Sequence, residues 1–240
     1  MRLFSLCLIF LALYSCRKSI VPPAVFVPVS VKTALQISKG DSVSYLALGD
    51  SYTYGFGAPP DMSYPFQLAD ELRTQSYKAA NPVVIAQFGW TAGDLLKGIS
   101  QSTVTQKFDF VTLLIGVNDE NMGTNTETYT TQFDQLLNIA IAYANGYSKR
   151  VFVISIPDWS VTPFAAKLDQ SKIAAGVALF NSINMGQCEK LGVNYLDITQ
   201  LSELAANDPT LTSSDGLHPS AKMYGLWANQ FYSKVIATFN

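Results

Sequence analysis

The chain has 240 residues, 48% of them hydrophobic and 12% aromatic, enough for one medium-sized domain with a substantial core. Sixteen basic against eighteen acidic residues leave a formal net charge of −2, which gives no electrostatic reason to expect a nucleic-acid partner. A single histidine and the absence of any CxxC pair leave no ordinary zinc site, so neither a metal nor another cofactor is expected.

Met1-Arg2 supplies a positive start, and an apolar run from residue 3 to 14 follows. That run is shorter than the roughly 20 residues needed to span a bilayer, so residues 1–15 read as an export signal. It ends in Leu13-Tyr14-Ser15-Cys16, which resembles the lipobox of bacterial lipoprotein signal peptides, although Tyr14 is bulkier than usual there. The resemblance implies cleavage before Cys16, a lipid on its thiol, and a place at the bacterial cell envelope, on the outer membrane. Residues 16–40 carry Pro22, Pro23 and Pro28 among Val and Ser and read as an extended tether, leaving a domain over 41–240. With Cys16 lipidated, Cys188 has no intramolecular partner and is expected as a small buried residue in a helix.

From there the pattern alternates between strand and helix. Residues 43–48 form an apolar strand, 64–73 a helix with Leu68, Ala69 and Leu72 on one face, 83–86 a second strand and 92–99 a short helix. Residues 110–115 are nearly all apolar, as befits a central strand covered on both faces. A helix over 127–144, a strand over 151–156, a long helix over 166–191 and a fifth strand over 193–198 complete the series. The last helix starts at Ser220, with Met223, Trp227, Phe231 and Val235 at helical spacing. Such alternation predicts parallel βαβ units in an α/β fold, a three-layer α/β/α sandwich around a five-stranded parallel sheet.

In such sheets ligands bind outside the carboxyl ends of the strands. Four segments fall there: Gly49-Asp50-Ser51, Gly89, Gly116-Val117-Asn118-Asp119, and Asp215-Gly216-Leu217-His218, which holds the only histidine. A serine needs a base within reach to become a nucleophile, an imidazole is the ordinary base near neutrality, and an aspartate can fix the tautomer of that imidazole. Ser51, His218 and Asp215 are therefore candidate catalytic residues. Taken singly, each also reads as a cap or turn residue, and Asp119 reads as structural.

In this order the four segments resemble the blocks of the SGNH (GDSL) hydrolase family, over about residues 43–236. The phrases around residues 48–54, 156–165 and 215–227 are similar to those of bacterial secreted or lipid-anchored members. The resemblance implies the flavodoxin-like fold of that family and an oxyanion hole made by the backbone N–H groups of Ser51 and Gly89 with the side-chain amide of Asn118. It also implies an ester substrate. Tyr52, Trp90, Trp159 and Phe164, together with Tyr54 and Phe56, follow the same strand ends and are candidate substrate contacts, for an acyl chain or a sugar ring. The expected activity is hydrolysis of short-acyl esters or of O-acetyl groups on glycans. A lysophospholipase- or thioesterase-like activity and a non-catalytic glycan-binding module are the alternatives.

Overall fold

The computed structural model describes residues 36–240. The expected leader, Cys16 and most of the expected tether lie outside the described residues. Ile37 is buried and its N–H donates to the carbonyl of Phe239 at 2.8 Å, so the domain takes in residues ahead of the expected boundary at 41.

The expected first strand is two. β1 (Ser42–Val43) pairs in parallel with β3 (Lys78–Ala79), and β2 (Tyr45–Gly49) enters the main sheet beside β4 (Val83–Ala86). At the break, the N–H and hydroxyl of Ser44 both donate to Asp109, each at 2.7 Å. β5 (Phe110–Leu114), β6 (Val151–Ile154) and β7 (Asn194–Leu196) complete a five-stranded, wholly parallel sheet in the order β4-β2-β5-β6-β7. β2 and β5 are fully buried, as their apolar runs require.

Helices cover both faces. α2 (Tyr64–Thr74) packs on α8 (Ala221–Ile236), while α3 (Ala92–Gln101), α5 (Thr126–Tyr143) and α6 (Gln170–Leu191) form a second layer. Tyr129, Phe133, Leu136, Leu137 and Ala140 form the buried stripe of α5, and Met223, Trp227, Phe231 and Val235 that of α8. α6 begins at Gln170 rather than at 166, because Asp169 caps it by accepting from the N–H of Lys172, and Pro163–Lys167 forms a separate 3₁₀ turn. Cys188 is buried and has no disulfide partner among the described residues, and burial pushes its thiol up to about 12.

The strand order has one consequence for function. The chain leaves β2 toward β4 on one side and returns to β5 on the other, so the loops after β2 and β5 diverge and open a crevice. Gly49 stands level with Ala86 on β4 and with Leu114 on β5. The three loops carrying Ser51, Gly89 and Asn118 thus leave the sheet at one height.

Candidate active site

Ser51 opens α1 (Ser51–Tyr54), a single helical turn directly after β2. The cap is Asp50, whose carboxylate accepts from the N–H of Tyr52 at 3.0 Å, and this leaves the serine hydroxyl uncommitted to the helix end. The strand can end this tightly because residue 49 is glycine: a Cβ there would stand 2.3 Å from the carbonyl oxygen of Leu114. Tyr52, next along the turn, is buried and packs its ring at 6.2 Å from that of Trp227 in the core, seating the turn on α8.

Between β7 and α8 the chain forms the short helix α7 (Thr199–Glu203), and His218 arrives from the segment that follows it. Its Nε2 lies 3.1 Å from Oγ of Ser51 and its Nδ1 lies 2.6 Å from Oδ2 of Asp215. The other carboxylate oxygen of Asp215 accepts from the N–H of Leu217, the N–H of His218 and the hydroxyl of Ser213, at 2.8, 2.9 and 2.7 Å. Burial works against the charge of Asp215, but these donors and the imidazole together hold its carboxyl well below the usual carboxylate range. A permanently charged Asp215 fixes the proton of a neutral imidazole on Nδ1 and leaves Nε2 as an acceptor facing the serine.

Gly89 follows β4 with φ +78°, a conformation that favours glycine. A Cβ there would meet no protein atom within 4 Å, so the backbone conformation, not crowding by protein, is what the position requires. α4 (Val117–Asn121) follows β5, and the amide of Asn118 gives one hydrogen to the carbonyl of Trp90 at 2.9 Å, leaving its second hydrogen for another acceptor. Asp119 accepts from the N–H of Ala92 at 2.8 Å, a second link between the same two loops. Burial raises Asp119 to about 6, with that N–H acting in the opposite direction. Burial also raises Asp50 to about 8, against the N–H of Tyr52, and Asp119 adds to the rise.

Ser51, Gly89, Asn118 and His218 line one cavity of about 290 Å³, and Tyr52, Trp159 and Phe164 line it with them. Trp90, another expected aromatic contact, is not in this lining. Its indole lies against Gly98 of α3, where an added Cβ would stand 2.3 Å from the ring, and only its carbonyl serves the site through Asn118. Four apolar lining residues were not anticipated: Phe88, Val117, Met122 and Leu217. Phe88 had a signal, since it directly precedes the candidate oxyanion glycine. Among the described residues no group of three or more His, Cys, Asp or Glu is placed to hold a metal ion.

A doubly wound parallel sheet with a serine, histidine and aspartate in one hydrogen-bonded chain at its switch point defines a serine hydrolase of the α/β class. Residues 47–226 match the model of the GDSL-like lipase/acylhydrolase family, and the chain belongs to that family of ester hydrolases. Similar solved structures include an extracellular lipase from Streptomyces rimosus, at 21% identity and TM-score 0.61, covering 78% of this chain and 98% of the other. The psychrotrophic esterase EstA from Pseudoalteromonas shows 17% identity and TM-score 0.60, with 80% and 96% covered. An acetyl-xylooligosaccharide esterase from Geobacillus shows 17% identity and TM-score 0.61, with 82% and 96% covered. At these identities the structural likeness speaks for the fold. No curated protein sequence matches the chain.

Proposed function

We propose that the protein is a serine carboxylester hydrolase acting on short-acyl esters. The observation that carries this reading is the unbroken chain from Ser51 through His218 to Asp215, opening into a cavity whose wall includes Gly89 and Asn118. Nε2 of His218 takes the hydroxyl proton as Ser51 Oγ attacks the ester carbonyl. The oxyanion forms beside the N–H groups of Ser51 and Gly89 and the free hydrogen of the Asn118 amide. When the C–O bond breaks, His218 returns the proton to the leaving alcohol and an acyl-serine remains. Water then repeats the sequence, releasing the acid and restoring the hydroxyl. A cavity of about 290 Å³ lies at the lower edge of the roughly 300–1,000 Å³ of small-molecule pockets, which favours a short acyl group over the chain of a lysophospholipid.

A fluorophosphonate probe on the folded protein tests this. One adduct on Ser51, lost in Ser51→Ala, is the expected result, and an unlabelled Ser51 would leave only the glycan-binding module. With labelling in hand, p-nitrophenyl esters from acetate to palmitate should show rates that peak at the short end. We also propose export and a lipid anchor on Cys16 at the bacterial envelope, on the outer membrane, supported by the Leu-Tyr-Ser-Cys run. Cys16→Ala should abolish palmitate incorporation; a variant that still incorporates it would refute the anchor.

A further inference from the structure

A second apolar hollow adjoins the cavity and has no part in the proposed mechanism. It measures about 440 Å³ and is walled by Tyr54, Phe56, Pro60, Phe66, Pro82 and Val84, without a charged side chain in its lining. Its floor is preformed. The N–H of Phe56 donates to the carbonyl of Ser51 at 3.0 Å, and the carbonyl of Phe56 accepts from the hydroxyl of Tyr224 at 3.0 Å.

The Phe56 ring joins this groove to the catalytic centre. It lies 4.7 Å from the imidazole of His218 and 4.9 Å from the ring of Phe88, which lines the cavity holding Ser51. Tyr54, Phe56 and Phe88 are 56%, 40% and 57% exposed. Three exposed aromatic side chains along one path from His218 make a contiguous apolar surface, the kind that marks a binding groove rather than ordinary scattered surface carbon.

The direction of proton transfer says which half of an ester would lie there. His218 Nε2 must protonate the leaving oxygen, so that oxygen stands beside the imidazole, and whatever it carries extends past the rings flanking the imidazole. In the mechanism above the carbonyl oxygen faces Gly89 and Asn118, which leaves the acyl group the rest of that cavity, with Met122 in its wall. We infer that the groove from Phe56 to Val84 is the subsite for the leaving alcohol, and that this alcohol is apolar, an alkyl or arylalkyl group rather than a sugar. This inference rests on the esterase reading above. A sugar in the groove would set its hydroxyls against prolines, phenylalanines and a valine, with the Tyr54 hydroxyl the one side-chain partner in the lining, and unpaired hydroxyls are costly to bury.

The test holds the acyl group constant. Ethyl, hexyl and 2-phenylethyl acetates have alkoxide leaving groups of similar basicity, so their kcat/KM values compare binding of the alcohol. The wild-type chain should hydrolyse 2-phenylethyl acetate about tenfold or more faster than ethyl acetate, the effect of taking a ring out of water. Tyr54→Ser with Phe66→Ser should cut that preference to about threefold or less, and Val84→Thr, which keeps its shape, should lower it in the same direction. Equal kcat/KM for the three acetates, faster hydrolysis of acetylated xylobiose, or variants that change acyl-length preference instead would overturn the alcohol subsite. An unlabelled Ser51 with no acetate hydrolysis would strike the esterase reading itself, so the two failures are distinct.

Discussion

Two parts of the cavity wall are built in different ways. On the polar side, Ser51, His218 and Asn118, with Asp215 behind the imidazole, each sit in hydrogen bonds of 2.6 to 3.1 Å. On the apolar side, Phe88, Met122 and Phe164 stand 57%, 66% and 55% exposed. Of these, Met122 and Phe164 are anchored by their backbones, with N–H groups on the carbonyls of Asn118 and Gly216, each at 2.9 Å. Proton transfer depends on distances of a few tenths of an ångström, whereas contact with an apolar group tolerates displacement. The fold fixes what the chemistry needs and leaves the surface that meets the substrate open to change.

Breaking the polar side at its base should give the largest effect. Asp215→Asn places an amide where the carboxylate now accepts from Nδ1, reversing the tautomer, and kcat should fall about 10⁴-fold with little change in KM. In the unaltered enzyme the rate measured from about pH 8 down to about pH 5 should drop on acidification, because the base must be unprotonated to take the hydroxyl proton. Asp215, held below the usual carboxylate range, stays charged throughout that span. A rate flat over that span would contradict a single-histidine base.

Asn118→Ala removes a donor but leaves the proton path intact. A loss of about 10²- to 10³-fold in kcat is expected, with fluorophosphonate labelling slowed rather than abolished. Loss of labelling altogether would mean that Asn118 holds the two loops together rather than serving the oxyanion.

The smallest effect sharpens the comparison from beneath. Burial raises Asp50 to about 8, so it is mostly protonated at neutral pH in the folded chain, while unfolded aspartate ionises near 4. The unfolded state then binds fewer protons, so the contribution of Asp50 to stability is fully present below about pH 4 and is lost as pH rises toward 8. Asp50→Asn keeps an acceptor for the N–H of Tyr52 and should flatten that decline in melting temperature. Asp50→Ala, losing the cap, should cost about 1 kcal/mol at all pH values. An Asn variant that melts with the same pH slope as the parent would assign the slope to other groups.

The alternation of apolar strands and striped helices made the sheet legible, and the strand at Val83–Ala86 stands where its residues place it. The catalytic candidates were legible for a related reason: strand ends converge, and a sole histidine three residues after an aspartate is conspicuous. α1 and α4 were not legible, because four or five residues are too few to show a helical period. The split of the first strand was hidden because Ser44 is held by the distant Asp109, a tertiary contact with no local signature. Exposed rim residues such as Met122 carry no periodicity either, and Trp90 shows the converse, an aromatic at the right strand end that packs away from the cavity.

The paired links between the loops after β4 and β5, Asn118 to the carbonyl of Trp90 and the N–H of Ala92 to Asp119, reach further than either loop alone. They tie the loop that carries Gly89 to the loop that carries Asn118, although the two lie at different strand ends. In the proposed mechanism this pairing sets both oxyanion donors in place as the chain folds. A substrate then adapts to the paired loops, and in the proposed reading adjustment between different esters falls to the groove past His218, where the wall is apolar and exposed.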